Sequence, residues 1–76
     1  MNTLIDTPKD AKHVDGFIVI TMSSGETIRF PVAENKRLRG ASHLELDDIE
    51  FSPFGLHWPQ LDEDLSIRGL LAGHHG

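Results

Sequence analysis

The stretch from Val14 to Val32, Val-Asp-Gly-Phe-Ile-Val-Ile-Thr-Met-Ser-Ser-Gly-Glu-Thr-Ile-Arg-Phe-Pro-Val, reads as a β-hairpin. Val14–Met22 is rich in β-branched residues and has no helical spacing of its apolar positions. Ser23-Ser24-Gly25-Glu26 carries turn chemistry, and Thr27–Val32 alternates with Ile28, Phe30 and Val32 on one face. A two-residue Ser24-Gly25 loop sets Met22 opposite Thr27 and Val19 opposite Phe30. Phe17 and Val19 then share the face of Ile28, Phe30 and Val32, while a three-residue loop would shift every pair. The opposite row, Ile18, Ile20 and Met22, is also apolar and needs a cover. Uncovered apolar rows mark interaction surfaces, so this row is the expected partner-binding face, toward a second copy or another protein. Pro31 has no N–H for a ladder, which puts its strand at an edge or near its end.

Outward from the hairpin the signals are shorter. Residues 1–12 read as a flexible arm or a segment laid along a sheet edge, 13–73 as the core, and 74–76 as a tail. Ala33–Gly40 reads as a short exposed helix or turn holding Lys36, Arg37 and Arg39. Ser42-His43-Leu44-Glu45 fits a capping box for one or two helical turns through Asp48. Ile49-Glu50-Phe51 and Leu56-His57-Trp58 flank Ser52-Pro53-Phe54-Gly55. A four-residue loop pairs Phe51 with Leu56 and Ile49 with Trp58 on one face, and Glu50 with His57 on the other. Pro59 ends that strand, and Leu61–Ser66 leads into a last helix over about Ile67–Ala72, with Ser66 as N-cap and Gly73 as left-handed C-cap. Asp62, Glu63 and Asp64 then sit ahead of the positive helix end, and Trp58 is the expected core anchor against Phe51, Leu56 and the Ile67/Leu70/Leu71 stripe. The fold class is α+β: one small domain over residues 1–76, with two β-hairpins or one antiparallel sheet, a short central helical segment and a C-terminal helix.

Seventy-six residues that are 38% hydrophobic allow one domain with a modest core. The absence of cysteine excludes a disulfide framework and a thiolate zinc site. No apolar run approaches the roughly 20 residues that span a bilayer, and Met1–Lys9 lacks secretory character, so a cytoplasmic location is expected. A net charge of −5 disfavours nonspecific nucleic-acid binding and favours a neutral or basic partner.

Chemistry-bearing motifs are sparse. Asp62 and Asp64 match the start of an EF-hand loop, but Ile67 stands where Gly is required and Gly73 where Glu is required. Of the five histidines, His13, His43, His57, His74 and His75, no pair has the i, i+4 spacing of a helical zinc motif. His57 faces Glu50 without a marked nucleophile or anion hole, and there is no nucleophile elbow or phosphate loop. No catalytic residue, cofactor site or metal site is expected. Lys36, Arg37 and Arg39 form the one basic cluster, without the interleaved aromatics that stack on bases.

Gly55-Leu56-His57-Trp58-Pro59, Leu61-Asp62-Glu63-Asp64-Leu65-Ser66 and Gly69-Leu70-Leu71-Ala72-Gly73 together resemble the signature of a bacterial family, the domain of unknown function number 2442. The resemblance runs from about Ala11 to Gly73 and implies a small α+β fold without established enzymatic activity. It also implies a genomic neighbour, a small protein of family number 4160, in modules with toxin–antitoxin character in which this family is the antitoxin side. Relatives with an added helix-turn-helix exist, and no such segment is present in these residues. The signature residues His57, Trp58, Pro59, Asp62, Asp64, Gly69 and Gly73 read as a folding motif, with Gly69 permitting close helix–sheet packing. The function expected is a non-enzymatic protein-binding module, an antitoxin-like partner of a small basic protein or a homodimer. The alternative is a nucleic-acid-associated regulator using Lys36, Arg37 and Arg39.

Overall fold

Ser23, Ser24 and Gly25 join two strands of the first sheet, β2 (Phe17–Met22) and β3 (Thr27–Pro31), in the computed structural model, which describes residues 6–76. The part of the expected arm around Leu4 and Ile5 lies outside the described residues. The Met22 N–H donates to the Glu26 carbonyl at 2.8 Å and the Gly25 N–H to the Met22 carbonyl at 2.9 Å. Gly25 takes φ +95°, which a three-residue hairpin loop asks of its last residue. The loop is therefore one residue longer than Ser24-Gly25, and the register moves by one. Ile18 faces Phe30, Ile20 faces Ile28 and Val19 faces Arg29.

That shift reverses the expected faces. Ile18, Ile20 and Met22 are 0%, 0% and 1% exposed, and Phe30 joins them at 2%. The row assigned to partner binding is the floor of the intramolecular core, which corrects that expectation: it has no surface left to offer. Phe17 and Val19 take the outer face, half-buried, with the Arg29 guanidinium 4.4 Å over the Phe17 ring.

The first strand also divides. Asp15 and Gly16 have φ of 49° and 82° and turn the chain between β1 (Pro8–Val14) and β2, so Val14 faces Phe17 and His13 faces Ile18. Two consecutive positive-φ residues are the geometry of a two-residue hairpin loop, and Asp-Gly favours it. Residues 8–12 thus lie along the sheet edge as a strand and are not a flexible arm. The first sheet runs β1-β2-β3, antiparallel throughout.

After β3 a 3-10 turn covers Val32–Glu34, and the chain continues through turns to Gly40. This segment is less exposed than its charge suggests: Asn35 and Leu38 are both 0% exposed. The Asn35 side-chain carbonyl accepts from the Arg37 and Leu38 N–H groups at 2.9 Å each. Its amide donates to Glu63 Oε2 at 2.9 Å and to the His75 carbonyl at 2.8 Å. The His75 ring stacks on Phe30 with centroids 5.1 Å apart. Residues 74–76, the expected tail, are therefore held against the domain.

Helix α1 (His43–Asp47) begins with the expected capping box. Ser42 Oγ accepts from the Glu45 N–H at 3.2 Å, and Glu45 Oε1 accepts from the Ser42 N–H at 2.9 Å. The second sheet, β4 (Glu50–Phe51), β5 (Gly55–Trp58) and β6 (Glu63–Ser66), pairs Phe51 with Leu56 and Glu50 with His57 as expected. Of the acidic run, expected as a lead-in to the helix, Glu63 and Asp64 instead begin strand β6, and Asp62 lies in the turn before it. His57 faces Asp64 and Trp58 faces Glu63 across it, and no acid lies in the first turn of the following helix.

Helix α2 (Ile67–Leu71) is capped at both ends. Ser66 Oγ accepts from the Gly69 N–H at 2.9 Å. At the far end the His74 N–H reaches the Gly69 carbonyl at 2.8 Å and the Gly73 N–H the Leu70 carbonyl at 3.0 Å, with Gly73 at φ +88°. This is a Schellman cap, where a left-handed glycine returns N–H groups to the last carbonyls. A Cβ on Gly69 would stand 2.8 Å from Ser66 Oγ, so Gly69 makes room for the cap rather than for helix–sheet packing.

Trp58 is fully buried, and its indole N–H donates to the Leu46 carbonyl at 2.9 Å. Leu56, Ile67 and Leu70 share its core, whereas Phe51 and Leu71 are 41% and 69% exposed and fall outside the expected packing.

Two outcomes follow from this packing. Trp58→Ala removes roughly 3–5 kcal/mol, comparable with the whole stability of so small a domain, and should abolish the cooperative thermal transition. Ile20→Glu should do the same, because it places a charge on the core face. The Ser42 backbone N–H, and then the Ser42 side chain, hold the Glu45 carboxyl below its ordinary value of 4.5. Its contribution is therefore complete above that pH and is lost as pH falls through the lower folded-state value. Glu45→Gln should make the melting temperature less sensitive to pH on that acid side, as read by circular dichroism.

Candidate functional site

Strand β5 alternates, with Leu56 and Trp58 inward and His57 outward. Glu50 on β4 and Asp64 on β6 are its cross-strand neighbours, so antiparallel pairing alone brings three titratable groups into a row. His57 Nδ1 lies 2.8 Å from Asp64 Oδ1, the two side chains being 37% and 78% exposed. A shallow depression of about 720 Å³ spans this sheet, lined among others by Glu50, Phe51, Phe54, His57 and Asp64.

Phe54 is the residue that the sequence reading passed over. It stands 80% exposed between β4 and β5, where the Phe54 N–H donates to Ser52 Oγ at 3.2 Å. Its signal was present: a large aromatic side chain inside a Ser-Pro-Phe-Gly turn has no neighbouring element to bury it. Phe51 adds a second partly exposed ring beside the same depression.

The row presents an imidazole between two carboxylates, with the Phe54 ring nearby. A nucleophile needs a base within hydrogen-bond reach. Ser66 Oγ, which also lines the depression, caps α2, and Ser52 Oγ closes the β4–β5 turn. The partner of the His57 ring is a carboxylate.

The other signature residues are dispersed into the fold. Trp58 is in the core, Pro59 follows the end of β5, Asp62 takes φ 52° in the turn before β6, and Gly69 and Gly73 serve the caps of α2. Only His57 and Asp64 of that set meet as side chains at hydrogen-bond distance. Lys36, Arg37 and Arg39 are exposed around the buried Leu38. Among the described residues no group of three or more His, Cys, Asp or Glu side chains is placed to hold a metal ion, and no helix is long and apolar enough to cross a membrane.

A family model described as protein of unknown function (DUF2442) matches residues 8–76. A protein of unknown function from Rhodospirillum rubrum, solved by crystallography, is 33% identical, with a TM-score of 0.83 over 93% of this chain and 90% of its own. An uncharacterized protein from Chromobacterium violaceum, solved in solution, is 28% identical, with a TM-score of 0.81 over 92% of this chain and 68% of its own. No curated protein matches the chain.

The site separates residues that build the surface from residues that only decorate it. A Cβ on Gly55 would lie 2.7 Å from the Leu65 carbonyl oxygen, a backbone atom that moves only with the sheet. Gly55→Ala should lower the melting temperature sharply. Phe54→Ser, at an exposed position, should change stability by less than about 0.5 kcal/mol.

Proposed function

The chain belongs to the DUF2442 family of proteins of unknown function, and from this premise we propose that it is a non-enzymatic protein-binding module, an antitoxin-like partner of a small basic protein. The observation that carries the reading is Phe54, 80% exposed beside the carboxylates of Glu50 and Asp64. Exposed aromatic side chains such as Phe are enriched at interfaces, whose rims are polar. Two acids and the Phe54 ring suit a Lys or Arg side chain, through ion pairing and cation–π attraction. The overall charge of −5 supports the same sign of partner by steering it toward the surface.

The contact face is thus the second sheet, in place of the Ile18/Ile20/Met22 row that the core has taken. Co-purification from the native host at low salt, followed by identification of the bound species, tests the reading. A small basic protein should be retained by the parent chain, and lost on Phe54→Ser and on Asp64→Lys while both variants keep the parental circular-dichroism spectrum. Retention of nucleic acid instead, with a steep salt dependence and loss on Arg37→Ala with Arg39→Ala, would replace this function by the regulator alternative.

A further inference from the structure

Lys12, Val19 and Arg29 stand side by side on β1, β2 and β3, set there by the register of the first sheet. Val14, Phe17 and Pro31 form the adjacent row. The opposite side of these strands is taken. Ile18, Ile20 and Phe30 are in the core, and His13 turns its ring to α1, where its Nδ1 lies 2.8 Å from Nδ1 of His43. Both rows therefore belong to the outer face, on which Lys12 and Arg29 are exposed and Val14 is 40% exposed. This face is apolar with two cations, in a chain whose net charge is −5.

The outer face of the second sheet repeats the charged row with the sign reversed. Glu50, His57 and Asp64 stand side by side on β4, β5 and β6, and Gly55 and Ser66 begin the next row. Neighbouring strands lie about 4.8 Å apart, so Lys12 and Arg29 on one sheet, and Glu50 and Asp64 on the other, each spring from backbones about 9.6 Å apart. We propose that these two faces dock on each other between copies of this chain, the first sheet of one molecule on the second sheet of the next. Two cations then meet two carboxylates at matched spacing, with Val19 and His57 between them. β2 runs from Phe17 toward Val19, and β5 from Gly55 toward His57. With the charged rows superposed and these strands parallel, Phe17 comes over Gly55, which has no side chain to obstruct it, in the depression lined by Phe54 and Ser66. Arg29, already 4.4 Å over the Phe17 ring, is positioned at the same contact. Asp10 lies one row away on the other side of Lys12, outside the Phe17–Gly55 contact. The inference rests on the reading of the second sheet as a contact face and adds an occupant that a small basic partner would displace.

Sedimentation equilibrium of the purified full-length chain at about 0.15 M salt tests the contact, because a Debye length of about 8 Å there screens distant acids but not ion pairs that touch. The weight-average mass should rise above the 8.5 kDa of one chain as the concentration approaches about 1 mM, the range of a small, transient interface. Lys12→Glu and Arg29→Glu on the first sheet, and Asp64→Lys on the second, should each weaken association at least about tenfold with the circular-dichroism spectrum unchanged. Glu50→Lys replaces Asp64→Lys if that variant loses the folded spectrum. An equimolar mixture of Arg29→Glu and Asp64→Lys chains joins the intact second sheet of one to the intact first sheet of the other. It should recover a 1:1 complex, which a contact between two identical faces could not do. Capture of a small basic protein should survive Arg29→Glu, which leaves the second sheet whole, so the two readings of that sheet fail separately. A parent chain that stays at 8.5 kDa to about 1 mM, association that survives Arg29→Glu, or a mixture of the two variants that stays monomeric would overturn the proposal.

Discussion

The domain depends on one buried side chain that neither sheet could bury alone. Trp58 stands on the middle strand of the second sheet, and its ring is covered completely. Its indole N–H would be a costly orphan in that position. The Leu46 carbonyl of α1 accepts it, so the contact that satisfies the donor also ties the second sheet to the helix beside β1. Leu38, Leu56, Ile67 and Leu70 complete the apolar shell together with Ile18, Ile20, Met22 and Phe30 of the first sheet. Two three-stranded sheets thereby share one core.

Asn35 performs the corresponding task for the polar part of the interior. A buried amide is tolerated when its donors and acceptor are all used. Here the carbonyl turns the chain at Arg37 and Leu38, and the amide binds Glu63 on β6 and the His75 backbone. Three stretches of the chain, at residues 35–38, 63 and 75, meet at that side chain. This explains why Leu38 points inward from a turn crowded with Lys36, Arg37 and Arg39, and why the last residues pack against Phe30.

With the inner faces of both sheets committed to that core, the outer ones carry the exposed side chains. The second sheet presents His57 between Glu50 and Asp64, with Phe54 in the adjoining turn. The hydroxyls closest to this row serve a turn and a helix cap. The His13–His43 pair lies apart from it, between β1 and α1.

Local chemistry made much of this legible in the residues themselves. The Ser42–Glu45 box, the Ser66 and Gly73 caps, and the pairing of Phe51 with Leu56 depend on neighbours within a few positions, where spacing dictates geometry. Asp15-Gly16 was equally local, a two-residue turn signal inside what read as one strand. Burial was different. One residue more in the Ser23–Gly25 loop decided which face of β2 became core, because a period of two turns a single-residue slip into a complete inversion. The strand character of the acidic run came from pairing with β5, which outweighed its weak intrinsic β-propensity. The union of His13 with His43 has no signature in their spacing at all, since it arises only when α1 is laid against β1. The sequence by itself determined the caps, the turns and the α+β class, all short-range. Tertiary structure alone decided which apolar row is hidden and which charged groups meet, because those depend on how separately formed elements exclude water from one another.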